Sequence, residues 1–197
     1  MVTTLYLIRH GQILHHDEWR FAGHLDVEMD KTGISQLYTI ADHLSRHAIR
    51  AVYSSDLKRS LRGAEIISRK LNISPLINPS FRELSFGKWE GMKVEEISEP
   101  IPEDVTDFRF GGGETIRELQ QRVISALKEI LSQHKGEEIA LVGHGGVNRV
   151  ILLHALGMEL KNFYRIKQGY GCLNIIEYAE NGFASVRLIN GGPNGGK

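Results

Sequence analysis

The 197-residue chain has a single cysteine, Cys172, so no internal disulfide framework can form and the composition is compatible with a reducing cytoplasm. Long apolar runs are missing too. No stretch approaches the roughly 20 residues of a membrane span, and Met1-Val2-Thr3-Thr4 lacks the basic segment of a signal peptide. Neither sign of charge is in excess: 24 Lys plus Arg stand against 24 Asp plus Glu, so neither nucleic acid nor an anionic membrane is an expected partner. Any preference for anions must be local. Nine histidines are present, but none stands with Asp, Glu or Cys in zinc-ligand spacing, and no metal is expected. No cofactor is expected either, because Gly111-Gly112-Gly113 lacks both a preceding strand and the G-x-G-x-x-G spacing of a dinucleotide loop. No element specifies an oligomeric state.

What is present is an alternation of strand-like and helix-like patterns. Val2 to Ile8 reads as a buried strand. After Gly33, the positions Ile34, Leu37, Ile40, Ala41 and Leu44 keep helical spacing. "IRAVYSS" reads as a second strand, and Asp56 is the expected N-cap of a helix with Leu57, Leu61, Ala64, Ile67 and Leu71 on one stripe. Pro75 and Pro79 bracket a short extended piece. From Ser80 to Gly113 the pattern weakens, which suggests an excursion from the sheet. The clearest helix follows, with Ile116, Leu119, Val123, Leu127, Ile130 and Leu131 three or four apart. "EEIALVGHGG" is a strand ending in His-Gly-Gly, "VNRVILLHALG" a helix, and "CLNIIEY" and "FASVRLIN" closing strands. Cys172 reads as a small buried hydrophobe and Trp89 as a packing residue. The expected fold is a three-layer α/β sandwich with a mostly parallel central sheet and helices on both faces. One domain over residues 1–190, with a short insertion near 80–113, is expected, and the tail from 191 to 197 is too glycine-rich to order by itself.

Chemistry gathers where strands end in such a fold. The first strand closes on Arg9-His10-Gly11, the second opens into "SSDLKRSLR" with Arg59, and the later one closes on Gly143-His144-Gly145-Gly146. If these strands are neighbours, two histidines and two arginines share one crevice. Two guanidinium forks suit a phosphoryl dianion better than a single carboxylate does. A neutral imidazole beside them can attack phosphorus without first losing a proton.

"LIRHG", "SSDLKRSLRGAEII", "RELSFGKWEG", "GGGETIRELQQR" and "ALVGHGG" resemble, in this order, the motif series of the histidine phosphatase superfamily, which includes the phosphoglycerate mutases. The resemblance implies a phosphate-monoester hydrolase with His10 as the phosphohistidine nucleophile, and with Arg9, Arg59, His144 and Gly145 holding the phosphoryl group of a small-molecule ester. It implies Glu83 as proton donor to the leaving group, a role that requires a proton near neutrality and that a nearby phosphate dianion favours. Gln12, Arg20 and Gly23 are candidate leaving-group contacts, although Gln12 stands where the family often has an acidic residue. "FGKWEG", "GGGE" and "QGYGCLNIIEY", with the compact region between the first two, resemble the α-ribazole phosphatase branch, acting on α-ribazole 5′-phosphate or cobalamin phosphate in cobamide assembly. A broad small-molecule or sugar phosphatase, a phosphoglycerate mutase and a catalytically silent phosphoprotein-binding module are the alternatives. The intact Arg9, His10, Arg59, Glu83 and His144 argue against the last.

Overall fold

The computed structural model describes residues 1–192. Its strands are β1 (Val2–Arg9), β2 (Ile49–Ser54), β3 (Pro75–Ile77), β4 (Glu138–Gly143), β5 (Leu173–Ala179) and β6 (Ala184–Gly191). They form one sheet in the order β3-β2-β4-β1-β5-β6. The pairings of β3 with β2, β2 with β4 and β4 with β1 are parallel, and those of β1 with β5 and β5 with β6 are antiparallel. Because β4 lies between β1 and β2, the carboxyl ends of all three strands are side by side.

The helices are α1 (Lys31–Leu44), α2 (Lys58–Leu71), α3 (Ile116–Gln133) and α4 (Gly145–Ala155). Successive residues of a strand face opposite ways, and both faces here are covered. Leu5 and Leu7 enter a core built with α3 and α4, while Tyr6 and Ile8 enter a second core built with α1 and α2. Removing each such aliphatic side chain from water stabilises the fold by roughly 1.5–3 kcal/mol. α3 starts where its sequence says it should. Thr115 Oγ1 accepts from Glu118 N–H at 3.1 Å and Glu118 Oε2 accepts from Thr115 N–H at 2.9 Å, a reciprocal capping box.

Two helix starts differ from expectation. α1 begins at Lys31, capped by Asp30 Oδ1 on Gly33 N–H at 2.7 Å, so Gly33 lies inside its first turn. Asp56 does not cap α2. Its carboxylate is held by both arms of Arg82, with Nε to Oδ1 at 2.7 Å, and Leu57 is the N-cap residue. The first turn is capped from a distance instead: Lys58 N–H donates to Asp26 Oδ1 at 2.8 Å. α2 is also rotated so that Arg59 and Ser60 are buried while Leu61 and Leu71 lie at the margin of the stripe.

Residues 80–113 hold only single helical turns. Their aromatic side chains Phe86, Trp89, Phe108 and Phe110 pack together with Phe21, and Trp89 is buried among them. Gly191 closes β6 rather than opening the tail; residues 193–197 lie outside the described residues. Among the described residues no helix is long and apolar enough to cross a membrane.

Candidate active site

The backbone after β1 is clamped on both sides. His10 N–H donates to the Gly143 carbonyl at 3.1 Å, and Gly171 N–H donates to the His10 carbonyl at 3.0 Å. Gly11 then meets the first turn of α1 so closely that a Cβ on it would lie 2.2 Å from the Gly33 carbonyl oxygen, and a Cβ on Gly33 would lie 2.1 Å from the Gln12 carbonyl oxygen. Only glycine fits at either place.

The His10 ring is buried, with Nδ1 2.8 Å from the Gly11 carbonyl oxygen. A carbonyl only accepts, so Nδ1 carries the hydrogen and Nε2 presents its lone pair. Burial, then Arg59 and Arg9, hold the ring well below the usual histidine range against the opposing pull of the Gly11 carbonyl. The His144 ring lies edge-on at 5.2 Å, with Nε2 2.7 Å from Ser55 Oγ. It too is held neutral, by burial first and then by Arg59, His10 and Arg9.

Both expected guanidiniums converge here. Arg59 is buried in the first turn of α2, with Nη1 donating to the Leu25 carbonyl and Nη2 to the Gly23 carbonyl, each at 2.6 Å. Arg9 Nη1 donates to the Gln168 carbonyl at 2.6 Å, and the Tyr170 ring lies 3.9 Å from its guanidinium carbon. Arg9 Nε, Arg59 Nε and His144 Nδ1 are buried with no partner among the described residues. Buried polar groups of this kind are expensive unless an anion or other partner meets them. Among the described residues, no three His, Cys, Asp or Glu side chains are grouped to hold a metal ion.

Glu83 sits at the start of α4. Both its carboxylate oxygens lie 3.0 Å from Gly146 N–H, and Oε1 also accepts from Leu84 N–H at 2.9 Å. A Cβ at position 146 would lie 2.3 Å from Glu83 Oε1, so the glycine admits the carboxylate to the positive end of the helix. The backbone carrying Glu83 is gripped by Arg122 from α3, whose Nη1 donates to the carbonyls of Ser80 (2.9 Å) and Arg82 (2.7 Å) and Nη2 to that of Glu83 (2.9 Å). Glu114 holds Arg122 with two 2.7 Å contacts and accepts from Ser85 N–H at 3.0 Å. Burial works to raise the Glu114 carboxyl, but these bonds outweigh it and keep the group below the usual carboxylate range. His24 Nε2 completes the grip, 2.7 Å from the Glu83 carbonyl oxygen.

Three of the four remaining sequence candidates serve as supports. Gln12 donates through Nε2 to Asp30 at 2.8 Å and through its N–H to Gln36, bracing α1. Gly23 contributes its carbonyl to Arg59, and Gly145 is the first residue of α4. Arg20 is not gathered in: its exposed guanidinium is committed to Glu18 and the Gly91 carbonyl, each at 2.7 Å. Sequence reasoning overlooked Ser55, Glu114, Arg122, Arg149, Gln168 and Tyr170, and it reads His24 as a solvated or capped side chain, whereas the ring holds the Glu83 carbonyl. The "GGGETIRELQQR" and "QGYG" segments, which supply Glu114, Arg122, Gln168 and Tyr170, were the signals available.

The histidine phosphatase superfamily (branch 1) matches residues 5–191. The chain is 37% identical over 155 residues to phosphoglycerate mutase-like protein 4 of Arabidopsis thaliana, covering 74% of this chain and 67% of that one. It is 34% identical over 162 residues to a metal-independent phosphoserine phosphatase of the same plant, covering 77% and 68%. A structure described as mycobacterial hydrolase 1 shares the fold with a TM-score of 0.90 at 20% identity, covering 98% of this chain and 100% of that one. The RHG strand end, the buried Arg59, the His144 crossing and the Glu83 grip thus occur in a chain that belongs to the histidine phosphatase superfamily.

Proposed function

We propose that the protein hydrolyses small-molecule phosphate monoesters through a phosphohistidine at His10, with no metal ion taking part. The observation that carries this is the bond between His10 Nδ1 and the Gly11 carbonyl, which leaves Nε2 as a neutral nucleophile between Arg9 and Arg59. Nε2 attacks phosphorus, the bond to the ester oxygen breaks, and that oxygen takes a proton from Glu83. The two guanidiniums, His144 and the start of α4 stabilise the charge on the transferring group. Water then gives its proton to Glu83 and attacks phosphorus, the P–N bond breaks, and phosphate departs. Each half is easier than direct hydrolysis.

The substrate to test first is O-phosphoserine, because a relative that is 34% identical carries that activity in its name. α-Ribazole 5′-phosphate is the second reading, favoured by "FGKWEG" and "QGYGCLNIIEY". Those segments build the aromatic cluster around Trp89 and the support of Arg9. The resemblance of the second segment therefore bears on the phosphate end of the site.

Rapid quenching during turnover of labelled phosphoserine tests the chemistry. The label should be acid-labile, base-stable and mapped to His10, and chelation should leave the rate unchanged. A label on serine or a carboxylate, or activity that needs added Mg²⁺ or Zn²⁺, overturns it.

A further inference from the structure

Arg149 lies one turn into α4, four residues after Gly145. Its Nε donates to the Ile166 carbonyl at 2.9 Å, which fixes the plane of the fork, and the rings of Phe163 and Tyr164 lie 5.3 and 5.8 Å from the guanidinium carbon. Neither Nη atom has a hydrogen-bond or ion-pair partner among the described residues. The point where a Cβ on Gly145 would lie is 3.4 Å from Arg149 Nη1 and 3.6 Å from Arg9 Nε, so two guanidiniums flank the turn that Glu83 caps. Burial works against the charge on Arg149, the Glu83 carboxylate supports it and Arg9 opposes it.

Charge balance gives this placement a meaning. The bonds that Arg9, Arg59 and Arg149 make go to uncharged backbone carbonyls. A phosphoryl dianion answers two of the three positive charges. Glu83 must hold a proton in order to deliver it to the ester oxygen, and in that state it answers none. One guanidinium charge is left beside the turn that Glu83 caps, and a half-buried charge without a counter-ion favours an anionic partner.

We infer that Arg149 is the specificity-determining residue for the leaving group, and that its free fork receives a carboxylate. The inference rests on the phosphohydrolase reading above and narrows its substrate class to phosphate esters whose alcohol bears a carboxylate. The planar fork matches such a group with two parallel bonds. O-Phosphoserine and 3-phosphoglycerate qualify, each with its carboxylate carbon separated from the ester oxygen by two carbons. α-Ribazole 5′-phosphate has no such group.

The test compares matched pairs on the full chain: O-phosphoserine against phosphoethanolamine, and 3-phosphoglycerate against glycerol 3-phosphate. The wild type should favour the carboxylate-bearing member in kcat/KM by on the order of 10- to 100-fold, as a charge-assisted pair of bonds predicts. Arg149→Met should collapse both ratios toward one. Arg149→Lys, which keeps the charge and loses the fork, should fall between. Ratios within one protein do not depend on how much of it is folded. A wild type indifferent within both pairs, or an Arg149→Met ratio equal to that of the wild type, overturns the inference. Absence of turnover with every ester would reject the phosphohydrolase reading instead. Calorimetric titration of the same four compounds into His10→Ala protein then decides the carboxylate site alone: the same preference supports it, and equal affinities overturn it.

Discussion

His10 and His144 follow the carboxyl ends of β1 and β4, whereas His47 and His134 precede the amino ends of β2 and β4. At the amino ends the chain completes the pairing itself. His134 has Nδ1 2.7 Å from a Glu137 oxygen and Nε2 2.8 Å from the Tyr53 hydroxyl, and His47 Nδ1 lies 2.8 Å from the Tyr6 hydroxyl and 3.9 Å from Glu138. At the carboxyl ends the rings receive a backbone carbonyl and a serine hydroxyl, with guanidiniums as the nearby charges. Position in the sheet therefore does less than the counter-charge that each end supplies. Where the protein provides a carboxylate, the imidazole is a strut; where it provides cations and leaves the anion to a ligand, the imidazole is available for chemistry.

The contrast breaks most visibly at the nucleophile. His10→Ala should lower kcat/KM for phosphoserine by at least about 10⁴-fold and abolish the trapped phosphoenzyme. His134→Ala should leave turnover intact and cost about 1 kcal/mol of stability, read from urea unfolding. A comparable activity loss from His134→Ala would erase the distinction between the ends. A smaller effect is expected at Glu83. Glu83→Gln should slow phosphoserine hydrolysis by about 10²–10³-fold, yet slow p-nitrophenyl phosphate far less, because an aryl oxide departs without a proton. Equal losses on the two esters would reduce Glu83 to a packing role.

The smallest effect is thermodynamic. Burial and the neighbouring guanidiniums hold His10 and His144 well below the ordinary histidine value of about 6.5 in the folded chain, while the unfolded chain takes up both protons near that value. Their contribution to stability is therefore complete above pH 6.5 and is lost as the pH falls below it, by about 1.4 kcal/mol per pH unit for each ring. His10→Ala should make the fall below pH 6.5 shallower, measured as urea midpoints. An unchanged slope would show that His10 is protonated in the folded protein.

Much of this was legible because it is local. The stripe from Ile116 to Ile130 specifies α3, and apolar runs stopping at Arg9-His10 and Gly143-His144 mark strand ends. What escaped depends on residues meeting across the fold. Asp26 caps α2 from 32 positions before Lys58, which no pattern around Asp56 could reveal. The placement of β4 between β1 and β2, which brings His144 beside His10, is a property of the sheet order. Arg122 stands at a polar position of an amphipathic helix, and its three backbone carbonyls come from residues 80–83. Arg20 lies near the nucleophile in sequence, but local partners satisfy it at the surface.

The backbone contact between Gly11 and Gly33 also bears on how mutational tolerance should be read. The exclusion is reciprocal: each glycine leaves room for the other strand of backbone, so a second substitution across the contact cannot relieve the first. In a saturation library scored by survival, Gly33 should look as indispensable as His10, although it sits on a helix and makes no claim on the ester. Intolerance alone would enlarge the apparent active site to include the first turn of α1. Sorting the failed variants by whether they still fold separates the two kinds of position: His10 variants should accumulate as intact, silent protein, whereas Gly33 variants should be lost with the register of the loop itself.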